Sequence, residues 1–324
     1  MVRLAAPKGE SVELAVEVKS DAGPRNARNV IARLRESGGG RELLLLAPFL
    51  PPRSRSIAEE AGVHYADLTG NLRLSLKTPP IFLSDRGADI NPLPGAGPER
   101  SLAGPRAGRV LLTLCQMVPP VGPQTLTVVA GESTVSLPYV SRIIGLLERE
   151  DLVRRLPRGP ILEVDRPGVV RRWAEDYSLL SSNRGRLYLD PRGLAHTLEA
   201  IGRTGFQRSI PRYAISGPFA AHRMASAAPP SKLVCFVEDP DLAARSLDLS
   251  PTSGAGNVFL LAPYDPIVFE TSREDSGKAW AHPAQVVVDC LTGPDRMPED
   301  GEVLLAFLQR TQTHWRGLRT DSQV

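Results

Sequence analysis

The chain has 324 residues, more than one hydrophobic core usually serves, so two or three domains are expected. Hydrophobic residues make up 42% and aromatic residues only 5%, which excludes global disorder and leaves Leu, Val and Ala to build the cores. The net charge of +3 is too small to name a partner, no apolar run approaches the roughly 20 residues of a membrane span, and the start MVRLAAPKGESVEL lacks a signal peptide's apolar stretch, so a cytoplasmic protein with no membrane role is expected.

Taken in chain order, SVELAVEVKS alternates like a strand, RELLLLAPFL is a short buried-strand run, and Ser54 to Gly62 reads as a helix closed by its glycine. These place a mixed α/β domain over residues 1–96. Pro and Gly then crowd INPLPGAGPERSLAGP, residues 90–105, and predict a linker.

The next unit spans residues 103–178. RAGRVLLTLCQM carries Val110, Leu111, Leu114 and Met117 at helical spacing, and VPPVGP stops it. TLTVVAGEST predicts a short second helix broken at Gly131. SLPYVSRIIGLLEREDLV opens with Ser136 as N-cap and Pro138 in the first turn. Its stripe of Val140, Ile143, Ile144, Leu147 and Leu152 leaves Tyr139, Ser141 and Arg142 on the other side. VRRLPRGPILEVD supplies two short strands around Pro157 to Pro160. Helix, helix, recognition helix and basic hairpin together read as a winged helix-turn-helix between Pro105 and Arg166.

That reading makes Ser136, Tyr139, Ser141 and Arg142 the groove-facing start of the recognition helix, with Arg142 placed to fork onto a guanine. Arg154, Arg155 and Arg158 on the wing would neutralise phosphates. Between Arg106 and Arg172 ten arginines face six acids, an excess of +4 that exceeds the net charge of the whole chain.

VVRRWAEDYSLLSSNRGR reads as a helix running into a polar turn at Ser181 to Gly185, and residues 179–324 form a third, α/β or α+β, domain. Its strand-like runs are LVCFVE, NVFLLAP and PIVFE; its helical runs are GPFAAHRMA, HPAQVVVDCLT and GEVLLAFLQRT.

With these segments in view, the chain resembles the winged-helix antitoxins of AbiEi-type type IV toxin-antitoxin systems and related transcriptional regulators. The carriers are LLLLAPFL with AGVHYADLTGNLRL, the winged helix, and YAISGPFAAHRMA, NVFLLAPYDPIVFE and HPAQVVVDCLTGPDRMPEDGEVLLAFL. The resemblance implies repression of the protein's own promoter, with the C-terminal domain countering a nucleotidyltransferase-like toxin. The N-terminal domain departs from the shortest family members, and a stand-alone regulator fits the same letters.

Two segments carry catalytic patterns that structural readings also explain. Glu17 and Lys19 form E-x-K on a strand, followed by Asp67, chemically apt for a Mg²⁺-dependent nuclease. Such enzymes need a strand-borne carboxylate ahead of the motif, and Glu10 and Glu13 are the sole acids there. An alternating strand with a Glu17–Lys19 ion pair explains the same letters, and a degenerate, inactive restriction-endonuclease-like fold stays open for the domain. Ser216 and Gly217 before a helix, with Asp239 and Asp241 in VEDPD, faintly suggest a nucleotidyltransferase site. Twenty-two residues separate Gly217 from Asp239, and Pro240 divides the carboxylates, which favours a turn with solvated acids. Asp67, Gly70 and Asn71 read as an inter-strand turn, and His64 as a core or loop histidine. Cys115, Cys235 and Cys290 are distant and odd in number, so buried thiols are expected, with no metal or cofactor.

The reading is an α/β and α+β multidomain, non-enzymatic regulator whose partners are double-stranded DNA and, by resemblance, a nucleotidyltransferase-like toxin. The readings from other classes are a Mg²⁺-dependent nuclease using Glu17 and Lys19, and a protein-interaction adaptor.

Overall fold

The computed structural model describes residues 2–5, 11–89, 91–92, 101–117, 124–206, 212–225, 229–252 and 254–316. Most of the expected linker (residues 93–100) and the stop VPPVGP (118–123) lie outside the described residues. The architecture is mixed α/β, with thirteen α-helices and three sheets among the described residues. They group into two compact units, Met1–Arg100 with Gly145–Asp151, and Ser101–Ile144 with Leu152–Val324.

In the first unit β1 (Val2–Ala5), β2 (Ser11–Val18), α1 (Pro24–Ser37), β3 (Glu42–Ala47), α2 (Pro52–Glu60), β4 (His64–Asp67), β5 (Leu72–Leu76) and β6 (Ile81–Asp85) build a sheet whose strand order follows the sequence. β2, β3 and β4 run parallel, joined by the two helices, and the outer strands are antiparallel. Ala27, Val30, Ile31 and Leu34 recur at helical spacing on α1 and bury against Leu45, Ala47 and Tyr65, as do Ile57 and Ala58 of α2. The opposite sheet face carries Leu14, Leu74 and Leu76, because successive strand residues alternate between faces. α2 begins two residues ahead of Ser54, since Pro52 suits a first helical position.

The second unit opens with α3 (Pro105–Gln116), α4 (Leu126–Ser133), the first part of α5 (Leu137–Arg149), whose residues from Gly145 on group with the first unit, then β7 (Val153–Arg155), β8 (Ile161–Val164), α6 (Arg166–Ala174) and α7 (Leu179–Ser182). α4 runs through Gly131 instead of breaking there. A helical glycine costs only about 1 kcal/mol. The end is imposed by Thr134, which turns left-handed at φ 52°. The polar turn expected at Ser181 to Gly185 is the end of α7, capped by Ser178, and the start of the next strand. β7 and β8 pair antiparallel, and Gln124 adds a bridge to Ile161.

The remainder comprises β9 (Arg184–Leu189), α8 (Leu194–Phe206), β10 (Tyr213–Ser216), α9 (Gly217–Ala225), β11 (Leu233–Val237), α10 (Pro240–Ser246), β12 (Ser250–Pro251), β13 (Val258–Ala262), α11 (Ile267–Glu270), β14 (Arg273–Asp275), β15 (Lys278–Trp280), α12 (Pro283–Leu291), α13 (Met297–Thr311) and a 3₁₀ turn at Thr313–Trp315. The sheet order is β12-β9-β13-β11-β10-β15-β14. PIVFE, expected as a strand, forms the helical turn α11. Pro266 already holds helical dihedrals, and the Asp265 carboxylate accepts the Ile267 amide at 2.8 Å. A four-residue apolar run does not distinguish the two periods.

The boundary expected between residues 178 and 179 does not separate compact units. α6 and α3 pack on α12, the Tyr177 hydroxyl donates to Asp289 on α12 at 2.7 Å, and Arg171 pairs with Glu302 of α13. Gly108 of α3 lies so close to Tyr264 that a Cβ would fall 1.8 Å from its hydroxyl, so only glycine fits there. All three cysteines are free and buried. Among the described residues no helix is long and apolar enough to cross a membrane.

Candidate nucleic-acid interface

α5 buries Val140, Ile143, Ile144, Leu146 and Leu147 along one side. Its other side leaves Ser141 and Arg142 exposed near the N-terminal end, with exposed Ser136 just before the first helical residue. Tyr139 sits at the border, half-buried, and the Arg142 guanidinium stacks on its ring, 4.4 Å from the centroid. Three residues apart on one helix, the two side chains meet, and the aromatic face limits the rotamers open to the arginine.

The hairpin of β7 and β8 brings Arg154, Arg155 and Arg158 together over five residues. Arg158 is exposed at the turn with φ 57°, while Arg155 is half-buried beside a bulge. Arg154 stands opposite Glu163 across the strands, its Nη1 3.3 Å from the carboxylate. Such a partly exposed pair is worth about 0–1 kcal/mol.

The fold narrows the basic excess read from the sequence. Arg109 meets Asp265 at 2.8 Å and Glu270 at 3.0 Å. Burial works against its charge, but the two carboxylates more than offset that and raise its pKa. Arg171 is matched by Glu302, and Arg172 by Asp176 at 2.6 Å. Arg166 is buried and donates to the carbonyls of Cys115, Met117 and His314. These four arginines serve the fold.

In the first unit Glu17 and Lys19 pair with each other at 2.8 Å, and the hydrogen bond from Lys19 holds the Glu17 carboxyl below its usual range. Asp67 ends β4 and organises the turn to β5. It accepts from the amides of Leu50, Thr69 and Asn71, the Thr69 hydroxyl and the Asn71 side chain. Burial disfavours its charge, yet these donors prevail and keep its pKa low. Among the described residues no cluster of three His, Cys, Asp or Glu groups is placed to hold a metal ion. His64 is buried, with Nε2 3.1 Å from Glu42 and Nδ1 accepting the Ser75 amide at 3.3 Å.

The nucleotidyltransferase-like residues are held apart. β10 and β11 are antiparallel with Ser216 opposite Val234 and Tyr213 opposite Val237, so Ser216 and Asp239 lie at opposite ends of the pair. Ser216 is buried against Asp289 at 2.5 Å, and Asp239 caps α10 through the amides of Asp241 and Leu242.

No family model, curated protein or solved structure matches the chain.

Proposed function

We propose that residues 103–178 form a winged helix-turn-helix and that the protein is a DNA-binding transcriptional regulator acting in the cytoplasm. The observation that carries the proposal is the start of α5. The first turns of α5, with Val140, Ile143 and Ile144 buried, present Ser141 and Arg142 outward beside exposed Ser136, and a hairpin bearing Arg154, Arg155 and Arg158 belongs to the same unit as these residues. A helix enters the major groove by its early residues, and flanking basic elements grip phosphates. The resemblance to AbiEi-type antitoxins supports autoregulation and a nucleotidyltransferase-like toxin as protein partner. The nuclease reading loses support, because Lys19 occupies Glu17 and five donors occupy Asp67.

The test is to select a preferred site from a random duplex library with the full-length protein, then compare specific and random DNA at one fixed salt. Arg142→Ala should lower affinity for the selected site about tenfold or more beyond its effect on random DNA, the discrimination of one bidentate base contact. Arg154→Ala with Arg155→Ala should weaken both alike. Failure to enrich any site, together with no salt-dependent duplex binding, would refute the regulator and favour a protein-interaction adaptor.

A further inference from the structure

A cleft of about 300 Å³ opens beside the start of α5, lined by Arg106, Arg109, Thr134, Val135, Ser136 and Asp265. Arg106 and Arg109 are three residues apart on α3 and share a face. Their situations differ. The Arg109 fork is fully engaged, with Nε on Asp265, Nη1 on Glu270 and the Thr134 hydroxyl, and Nη2 on Glu270. Its single positive charge is therefore spent on two carboxylates, Asp265 and Glu270, and none of it is left for a ligand. The Asp265 Oδ1 that faces Arg109 also takes the Ile267 amide. Thr134 is the left-handed residue between α4 and α5, so this network fixes one wall of the cleft and the approach to α5 together.

Arg106 is exposed and, among the described residues, has no carboxylate partner. The exposed hydroxyl of Ser136 also lines the space. A planar guanidinium with unengaged N–H groups and a hydroxyl converging on a half-open cleft suit a compact oxyanion with several acceptor oxygens.

We propose that this cleft seats a phosphoryl group, held by Arg106 with Ser136. Two sources share that chemistry. One is a backbone phosphate flanking the groove that α5 would enter, which rests on the DNA-binding reading above. The other is a free phosphate acting as a small ligand. In either case Arg109 contacts no phosphate and serves as a positioning residue.

The experiment uses the full-length protein with Arg106→Ala, Arg106→Gln and Ser136→Ala, each checked for folding by its melting curve. One arm measures duplex affinity against salt. If the seat takes a DNA phosphate, both Arg106 variants bind selected and random DNA more weakly by the same factor. Wild type then loses about 3.5-fold more affinity than they do as salt rises fourfold, which is the loss of one counterion-releasing contact. The other arm measures melting in inorganic phosphate at constant ionic strength. If the seat takes free phosphate, wild type is stabilised and the Arg106 variants are not. Ser136→Ala should weaken whichever effect is seen. Arg106 variants matching wild type in both arms would overturn the seat while leaving the DNA-binding reading intact. Wild type that binds no duplex overturns that reading, and the phosphate arm alone then decides the seat.

Discussion

Asp289 sits in the last turn of α12 with no exposure to solvent, and its carboxylate gathers the Ser216 hydroxyl at 2.5 Å, the Tyr177 hydroxyl at 2.7 Å and the Gln285 amide at 2.8 Å. Three donors favour the ionised form, yet burial outweighs them and pushes the pKa from 3.8 to about 7. Between those values the folded state keeps a proton that the unfolded chain has lost. Stability therefore falls as pH rises through that window and is level above it. At 1.36 kcal/mol per unit, this amounts to about 4 kcal/mol as an upper figure. Asp289→Asn is neutral at every pH: its carbonyl keeps Tyr177 and Gln285, and the Ser216 hydroxyl can rotate to accept from its amide. Wild type and variant should be nearly equally stable near pH 4. The variant should gain steadily to pH 7, by up to about 4 kcal/mol, and hold that lead above. The difference between the two proteins is the quantity to follow, because buried His282, whose pKa burial lowers to about 4, pulls the other way over much of the same range. Urea unfolding followed by tryptophan emission is the assay. Trp173, Trp280 and Trp315 all belong to the second unit with Asp289, so the signal reports that unit. Parallel stability curves for the two proteins from pH 4 to 8 would refute the reasoning.

Arg166→Met should destabilise the second unit by about 3 to 5 kcal/mol in the same assay, since it strips the donor from three carbonyls, two of them at the end of α3. An unchanged urea midpoint would show that those carbonyls find other partners. Wild-type protein with Mg²⁺ or Mn²⁺ should leave supercoiled plasmid uncut, and Glu17→Ala should change nothing on a gel. Metal-dependent nicking that disappears in Glu17→Ala would restore the nuclease reading.

The elements with long, regular periodicity were legible in the sequence. The stripe Val140, Ile143, Ile144 and Leu147 set α5, the continuous apolar runs set β11 and β13, and turn residues between Val153 and Val164 set the hairpin. These patterns are local consequences of a helical period of 3.6 residues and of strand residues facing a common core. Short elements were not legible: α11 occupies four residues, and its helical turn is chosen by Pro266 and the Asp265 side chain rather than by hydrophobic pattern.

Ser141 and Arg142 follow from the helical wheel alone, since a residue opposite the buried stripe has nowhere to go but outward, whereas Tyr139 is half-buried at the border and Ser136 precedes the helix. Which arginines stay with the surface is a different kind of question. Arg106 and Arg109 are one turn apart on α3, and nothing local distinguishes them. Arg109 meets acids more than 150 residues further along the chain, while Arg106 meets none among the described residues. The division into two units has the same origin, because residues 101–144 and 152–324 are joined through α3, α6 and α12 rather than through any pattern within one segment. Sequence determined each helix's apolar side because backbone periodicity is local. Only the tertiary structure decided which charges are paired, because a guanidinium finds its carboxylate by proximity in space and leaves no periodic trace in the chain.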